Sequence, residues 1–344
     1  MAKKITLQDI ANATGTSKSA VSMILSKKQI NRFSSATIEA VQAAAFKLGY
    51  FKAKFKKNIL IVQPTGVNPY YAGLRHGMDQ KAIELNYNTL LYNTYWDKER
   101  EKEVINLVKG SNIDAVIFSM IPQNHEIANM LNGLLPIVVV GDHHSSLQMD
   151  TVEIDNFNAG QIVAAYLAKL GHRKLAYLST SLNSNHSART KRIEGIKNYF
   201  MHHHAHFTIK VFSKDILPAE ELENMDIEYD TGYMLAKRCL QDFKEVTAIV
   251  AINDMVAYGV MDALNDSHLV IPKNCSICAF DNIFPSKTRA IGLTTTDHNI
   301  VQQGKHAVNL IHQKFCESDQ SSNLTRVQYK CTLMKRSSTG VVPT

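Results

Sequence analysis

Apolar residues recur at helical spacing through the first fifty residues of the chain. They form three groups that each occupy one helical face: Leu7, Ile10 and Ala11, then Val21, Ile24 and Leu25, then Ile38, Val41, Ala45 and Leu48. Thr6 and Asp9 form an approximate capping box, and Gly15 supplies a tight turn. Ser17 can cap the second helix. The pattern predicts an all-α unit that opens with a helix-turn-helix, although a three-helix bundle without a ligand would show the same pattern.

A different pattern begins after residue 58, where continuous apolar strands alternate with amphipathic helices. The predicted strands are 59–63, 89–92, 115–118, 137–140, 175–178, 209–212, 248–252 and 276–280. The predicted helices are 70–86, 97–109, 123–133, 160–170, 190–201, 231–241 and 254–266. Apolar strands separated by helices are typical of parallel sheets covered on both faces. Because the alternation restarts near Gly160, we expect two doubly wound α/β subdomains.

Positive charge is concentrated at the N-terminal end of the chain. Residues 1–58 contain eleven lysines and arginines against Asp9 and Glu39, whereas the whole chain has a net charge of +7. We therefore divide the chain into a basic head (1–50), a short basic linker (51–58) and a nearly neutral body (59–344). A basic head on a neutral body is typical of a phosphate-binding surface, and we expect double-stranded DNA as the partner.

Several side chains of the head and linker are candidates for DNA contact. Lys18, Ser19 and Met23 point away from the apolar face of the second helix, toward the major groove if this is a recognition helix. The full set of candidates is Thr6, Ser17, Lys18, Ser19, Ser22, Met23, Arg32, Lys52 and Lys54.

Other function classes find little support in the sequence. The chain has no run of 18 apolar residues and no apolar signal-peptide core, so we expect a cytoplasmic protein without a membrane span. Five cysteines in 344 residues are not a disulfide framework, and the Cys275–Cys278 spacing occurs without a second pair. No Gly-rich phosphate loop follows a strand, so we expect no nucleotide cofactor. We expect neither a metal site nor a catalytic set; the histidine-rich segment 201–206 lacks carboxylates and falls in a predicted loop.

Five polar or aromatic side chains follow the carboxyl ends of predicted strands. They are Tyr70, Tyr71, Arg192, Asn253 and Asp281. Ligands of parallel sheets bind at these strand ends, so the five should converge on one cleft. A carboxylate, an amide, a guanidinium and a tyrosine ring together suit a polyol. Tyr95 and Trp96 could also wall this cleft. The alternative interpretation of Asn253 and Asp281 is helix capping.

The chain resembles the lactose/galactose repressor (LacI/GalR) family over nearly its whole length. The matching motifs are Asn68-Pro69-Tyr70-Tyr71, Leu170-Gly171-His172-Arg173, Arg192-Ile193-Glu194-Gly195, Asn253-Asp254-Met255-Val256-Ala257-Tyr258-Gly259, Ile271-Pro272, Phe280-Asp281-Asn282, Leu293-Thr294-Thr295 and Arg336-Ser337-Ser338-Thr339. The resemblance implies a homodimer whose paired heads bind a pseudo-palindromic operator. It also implies an effector bound between two periplasmic-binding-protein-like subdomains, with Arg192, Asn253 and Asp281 as contacts and Tyr70 and Tyr71 more loosely so.

The resemblance further implies how the body is divided. The chain should cross between the subdomains three times, with the last two crossings near 285–295 and 320–330. Subdomain one would comprise about 59–158 and 292–322, and subdomain two about 159–291 and 323–344.

Two features depart from the family pattern. Only eight residues separate Tyr50 from the first strand, and they lack the Pro, Asn and Leu of the usual hinge helix, leaving Phe51 and Phe55 as candidate wedges. Met23 stands where an Arg or His is common, and it offers only apolar contact to a base.

The favoured function is a DNA-binding transcription regulator, specifically a repressor, whose operator affinity is modulated by a sugar. A purine or a sugar phosphate is an alternative effector, because Arg192 could face an anion. A transporter's solute-binding protein would share the body fold, but it would need a signal peptide and no basic head. A sugar-modifying enzyme would need a base and a nucleophile in the cleft.

Overall fold

The computed structural model describes residues 5–26, 28–50, 56–183, 186–317 and 323–342. The chain forms two compact units, Met1–Lys57 and Asn58–Thr344. Within the described ranges, no helix is both long enough and apolar enough to cross a membrane.

The first unit contains three helices, α1 (Leu7–Thr14), α2 (Lys18–Leu25) and α3 (Ser35–Lys47), with a short 3-10 turn at Ile30–Arg32. Thr6 and Asp9 form the expected reciprocal capping box, and Gly15 ends α1 in the left-handed conformation with φ of 64°. The Ser17 hydroxyl accepts the backbone N–H of Ala20 at the start of α2. The core consists of Ile10, Ala11, Val21, Ile24, Val41 and Ala45. The predicted helices and caps are confirmed.

The second unit alternates strands and helices and contains every predicted element. Strands Asp150–Ile154, Thr294–Asp297, Arg326–Tyr329 and Thr332–Met334 and helices Pro218–Glu223 and Ile300–Cys316 were not predicted. Its strands are β1 (Asn58–Gln63), β2 (Asn88–Asn93), β3 (Ala115–Phe118), β4 (Ile137–Val140), β5 (Asp150–Ile154), β6 (Lys174–Ser179), β7 (Thr208–Ser213), β8 (Ala248–Ala251), β9 (Ser276–Asp281), β10 (Thr294–Asp297), β11 (Arg326–Tyr329) and β12 (Thr332–Met334). Its helices are α4 (Pro69–Glu84), α5 (Lys98–Gly110), α6 (His125–Asn132), α7 (Asn156–Lys169), α8 (Ser187–His203), α9 (Pro218–Glu223), α10 (Ile227–Asp242), α11 (Asp254–Asn265) and α12 (Ile300–Cys316). Because α8 continues to His203, part of the histidine-rich segment is helical, where we expected a loop.

The strands form two sheets, which define two subdomains. In the described residues the first sheet has the order β11-β5-β4-β3-β1-β2, and all its pairings are parallel. The second has the order β12-β10-β9-β8-β6-β7 and is parallel except for the antiparallel pair of β10 with β12. Buried apolar strands pack against helices in both subdomains. The predicted α/β class with two parallel-dominated sheets is confirmed.

The structure corrects the expected boundaries between subdomains. Strand β10 pairs with β9 in the second sheet, although residues from 292 onward were expected in subdomain one. Strand β11 pairs with β5 in the first sheet, although residues from 323 onward were expected in subdomain two. The last two crossings therefore lie at 297–300 and 329–332. Strands β10 and β11 are short and polar. Backbone pairing determines which sheet each one joins, and the hydropathy of the sequence does not indicate it.

Glycines allow helices to approach closely within each subdomain. Helix α7 packs on α8, and a Cβ at Gly160 of α7 would overlap the carbonyl oxygen of Arg192. Gly195 of α8 approaches the carbonyl oxygen of Phe157 in the same way. These two glycines set the spacing that brings Arg192 to its place in the body.

Candidate effector cleft and DNA-binding surface

The carboxyl ends of strands from both sheets border one cavity of about 140 Å³. All five side chains predicted to converge line this cavity: Tyr70, Tyr71, Arg192, Asn253 and Asp281. Trp96 also lines it, whereas Tyr95 is not among the lining residues. Polar residues that the sequence did not single out complete the lining: Asn68, Ser119, Asp142, His186, Ser187, Arg189 and Glu228. The convergence follows from the parallel topology, and the role of each residue as an effector contact is still a prediction.

Tyr70 and Tyr71 lie in the first turn of α4. Asn68 caps this helix, since its side-chain oxygen accepts the backbone N–H of Tyr70 at 2.8 Å. The two rings meet edge to face with centroids 5.2 Å apart. Burial raises the pKa of both hydroxyls above the usual range, so both keep their protons. The pair therefore offers an aromatic surface and two neutral hydroxyls.

The protein holds the guanidinium of Arg192 rigidly. Its Nε donates to Oδ1 of Asn156 at 2.8 Å, and its Nη1 donates to the carbonyl oxygen of Ile252 at 2.7 Å. The group also lies over the ring of Phe280, 4.6 Å from the centroid. Only 7% of Arg192 is exposed. The contacts described above leave one edge of its guanidinium to face the cavity.

The carboxylate oxygens of Asp281 accept no hydrogen bond from the described residues. Asp281 ends β9 with φ of 113°, a conformation that side-chain-bearing residues rarely adopt. Its Oδ1 lies 3.3 Å from Nδ1 of His298, and this ring nitrogen has no hydrogen-bond partner among the described residues. Burial raises the pKa of Asp281 to about 7. A ligand that donates hydrogen bonds would supply the partners that this carboxylate lacks.

The neighbouring carboxylate of Asp254 differs sharply from Asp281. It accepts the backbone N–H of Ile283 at 2.9 Å and the hydroxyls of Ser286 and Thr295, both at 2.6 Å. Asp254 is fully buried and holds the loop after β9 to the start of α11. Asp254 therefore has a structural role, whereas the described residues donate no hydrogen bond to the carboxylate of Asp281.

Asn253 behaves as the helix cap that the alternative interpretation proposed. Its Oδ1 accepts the backbone N–H of Val256 at 2.9 Å, and its Nδ2 donates to Oε1 of Glu228 at 2.8 Å. Most of its hydrogen-bonding capacity is therefore used by the protein. Asp281 caps no helix in the described residues. Sequence reasoning missed Glu228, because an acidic residue near the start of a helix is common for its effect on the helix dipole.

A carboxylate of subdomain one contacts the other side of the cleft beside Arg192. Asp142, which follows β4 in subdomain one, accepts the hydroxyl of Ser187 at 2.9 Å and lies 3.1 Å from Nζ of Lys191, both on α8. Asp142 also accepts the amide of Asn156 at 2.8 Å, and Asn156 in turn accepts from Arg192. The position of Arg192 is thus linked to subdomain one.

The DNA-contact candidates of the head are accessible. Thr6, Ser17, Lys18, Ser19, Ser22 and Arg32 are exposed, and Met23 is half-buried. Thr6 and Ser17 already cap helices, and Arg32 donates to the side chain of Gln29 at 2.8 Å. Lys52 and Lys54 lie outside the described residues.

Comparison with known proteins shows which family the chain belongs to. A family model described as "Periplasmic binding proteins and sugar binding domain of LacI family" matches residues 56–337. The chain belongs to the LacI family. The resemblance expected from the motifs is therefore confirmed, and the chain is a transcriptional regulator of this family.

Individual relatives agree with this assignment. The HTH-type transcriptional repressor PurR of Haemophilus influenzae (strain PittEE) is 26% identical over 324 residues, which cover 92% of this chain and 92% of the relative. A LacI family regulator from Enterococcus faecium, solved with bound ribose, is 22% identical with a TM-score of 0.70, covering 83% of this chain and 100% of that one. The CelR–cellobiose complex is 19% identical with a TM-score of 0.68, covering 97% and 99%. These named relatives are transcriptional regulators and not enzymes.

Proposed function

We propose that the chain is a repressor whose paired heads bind a pseudo-palindromic operator and whose cleft binds a sugar that changes operator affinity. The observation that carries the proposal is Asp281, a buried carboxylate with free acceptor oxygens that faces Tyr70, Tyr71 and Arg192 across the same cavity. Adjacent hydroxyls of a sugar donate to such a carboxylate, and an aromatic ring covers the apolar face of the sugar. Ribose and cellobiose bound to related regulators support this ligand class.

The charges of the cavity favour a neutral ligand over a sugar phosphate. Asp142, Glu228 and Asp281 contribute carboxylates, whereas the lining contains only the two guanidiniums of Arg189 and Arg192. Both guanidiniums already donate to backbone carbonyls, Arg189 to Ser181 at 3.1 Å and Arg192 to Ile252. Lys191 also pairs with Asp142, so Glu228 and Asp281 are left to balance the two guanidiniums, and the lining offers an anion little net attraction.

The head supports the DNA-binding half of the proposal. Lys18, Ser19 and Ser22 are exposed on α2 and Met23 lies beside them, which supports the proposal that α2 is the recognition helix. We assign base contacts to these residues and phosphate contacts to Thr6, Ser17, Arg32, Lys52 and Lys54. A protein that regulates transcription works beside the chromosome, so we place its action in the cytoplasm.

We also propose that the body joins two copies of the chain into a homodimer. Apolar side chains are exposed on both subdomains, with Ile83 and Leu90 on the first and Met234 and Phe284 on the second. Two tethered heads gain effective concentration that a single head lacks. Light scattering on residues 59–344 should report a dimer, and a monomer would refute the pairing through the body.

One experiment tests the ligand and the operator together. Calorimetry with ribose, cellobiose, ribose 5-phosphate and adenine should show binding of a neutral sugar that Asp281→Ala weakens and Asp215→Ala, an exposed aspartate outside the cavity, leaves unchanged. The affinity for the DNA upstream of the gene that encodes this chain, measured by fluorescence anisotropy, should then change when that sugar is added. Binding of adenine instead would identify a purine effector, and failure to bind any DNA would favour the solute-binding protein.

A further inference from the structure

One carboxylate bridges the two subdomains at the cleft. Glu228, the second residue of α10, accepts Nδ2 of Asn253 on Oε1 at 2.8 Å and Nδ2 of Asn68 on Oε2 at 2.6 Å. Asn253 belongs to subdomain two, whereas Asn68 belongs to subdomain one. The two oxygens of Glu228 thus accept one amide each, from opposite sides of the cleft.

Each of the two asparagines that donate to Glu228 also caps a helix. Asn68 caps α4 through the N–H of Tyr70, and Asn253 caps α11 through the N–H of Val256. Glu228 therefore connects two helix N-termini whose dipoles both favour a negative charge. Because Tyr70 and Tyr71 sit in the first turn of α4, the bridge also sets the distance between the tyrosines and the ligand-facing groups of subdomain two.

We propose that Glu228 is a positioning residue that holds the two subdomains together through protein contacts and thereby sets the width of the effector cleft. The proposal concerns the body alone and holds whichever ligand the cleft takes. A buried donor or acceptor that loses its partner costs about 1–3 kcal/mol, so removing the hydrogen bond from Asn68 should lower the closed-to-open ratio by about five- to a hundredfold.

The chain contains a built-in reporter for this movement. Its single tryptophan, Trp96, belongs to subdomain one and lines the cavity. The indole meets His186 of subdomain two edge to face at 4.5 Å, and the guanidinium of Arg189 lies 6.0 Å from its ring centroid. Burial lowers the pKa of His186 to about 2, so the imidazole stays neutral and the contact does not change with pH near neutrality. Opening of the cleft would remove both neighbours and expose the indole to water.

The test measures acrylamide quenching and emission wavelength of Trp96 in the full chain without added ligand. Glu228→Gln places an amide N–H₂ against the Asn68 amide, and Asn68→Asp places two carboxylates together. Each single variant should open the cleft, raise the quenching constant and shift the emission to the red. Asn68→Asp retains the helix cap, because aspartate caps as well as asparagine does.

The double variant provides the decisive comparison. With Glu228→Gln and Asn68→Asp combined, the new amide donates to the new carboxylate and its carbonyl still accepts from Asn253, so quenching and emission should return to wild-type values. Glu223→Gln is the matched control, because this exposed carboxylate on α9 makes no hydrogen bond among the described residues; it should behave as wild type.

Three results would overturn the proposal: wild-type quenching in both single variants, failure of the double variant to restore it, or an equal response from Glu223→Gln. A change in far-UV circular dichroism would identify a folding defect in a single variant, and restoration by the double variant would then still decide the question.

Discussion

The contrast between Asp281 and Asp254 predicts opposite effects of the same substitution at two neighbouring carboxylates. Asp254→Ala leaves three buried donors without an acceptor, those of Ile283, Ser286 and Thr295. Asp281→Ala removes a 3.3 Å approach to His298 and the attraction to Arg192 and Arg189, but no hydrogen bond from the described residues. Asp254→Ala should therefore strongly lower the stability of the body. Asp281→Ala should leave the body folded but weaken its binding of sugar.

The magnitudes follow from the hydrogen bonds. Each one removed costs about 1 kcal/mol net, and a buried donor left unpaired costs about 1–3 kcal/mol, so Asp254→Ala should lower the free energy of unfolding by about 3 kcal/mol or more. Asp281→Ala should change it by less than about 1 kcal/mol at acidic pH. At about pH 8, where Asp281 is ionised, the same Asp281→Ala should weaken sugar binding by about ten- to a hundredfold, because the sugar loses charged acceptors.

The pH dependence separates the two effects further. Burial raises the pKa of Asp281 from 3.8 to about 7, so folding favours the protonated form. Wild-type stability should therefore fall as pH rises from about 4 through about 7, where the buried carboxyl ionises. Asp281 and Asp254 interact, so they lose their protons as a pair. Without Asp281, this fall should be shallower, and Asp281→Ala should gain stability relative to wild type at about pH 8.

Urea denaturation at about pH 5 and about pH 8 measures the stabilities, and calorimetry with ribose or cellobiose measures the binding. Equal destabilisation by both substitutions would refute the reasoning, since it would give Asp281 the same structural role as Asp254. Unchanged sugar binding in Asp281→Ala would show that the free acceptor oxygens of Asp281 do not serve the ligand.

Further predictions concern helix packing and DNA. Gly160→Ala should push α8 outward and lower the free energy of unfolding, measured by urea denaturation, by about 1–3 kcal/mol. It should also weaken sugar binding, because Arg192 moves with α8. An unchanged sugar affinity in calorimetry would show that the spacing of α7 and α8 does not affect the binding site. Alanine at Lys52, Lys54, Lys56 and Lys57 should flatten the salt dependence of operator binding by about 0.9 in slope for each phosphate that is no longer neutralised, and an unchanged slope would remove the linker from the DNA-binding surface. Met23→Arg should change the site selected from random DNA; selection of the same site would place residue 23 away from the bases.

Local signals in the sequence gave reliable predictions where the structure is locally determined. The caps at Thr6, Gly15 and Ser17 depend on residues within three or four positions, and all three form as expected. The convergence of strand ends was also predictable, because parallel topology follows from the alternation of strands and helices.

Contacts between distant segments could not be predicted in this way. Strand β10 consists of polar residues, yet Thr294, Thr295 and Thr296 are fully buried, and the side chain of Thr295 is satisfied by Asp254. Hydropathy does not indicate a buried strand of this kind. Glu228 is a similar case, because its partner Asn68 is 160 residues away and only the folded chain brings them together.

The contacts across the cleft limit what an effector can achieve. A ligand shifts an equilibrium only by the difference in its affinity for the two states, and a full reversal from about 1:99 to about 99:1 needs a preference of about 10⁴-fold. The bridge at Glu228 and the contacts of Asp142 with Ser187 and Lys191 already favour the closed cleft before a ligand contributes. These protein contacts lower the affinity that an effector needs in order to close the cleft, and they reduce the change that its binding can transmit. Weakening the Glu228 bridge should therefore enlarge the response of operator affinity to sugar while it lowers the affinity for the sugar itself, because more of the binding energy is then spent on closure.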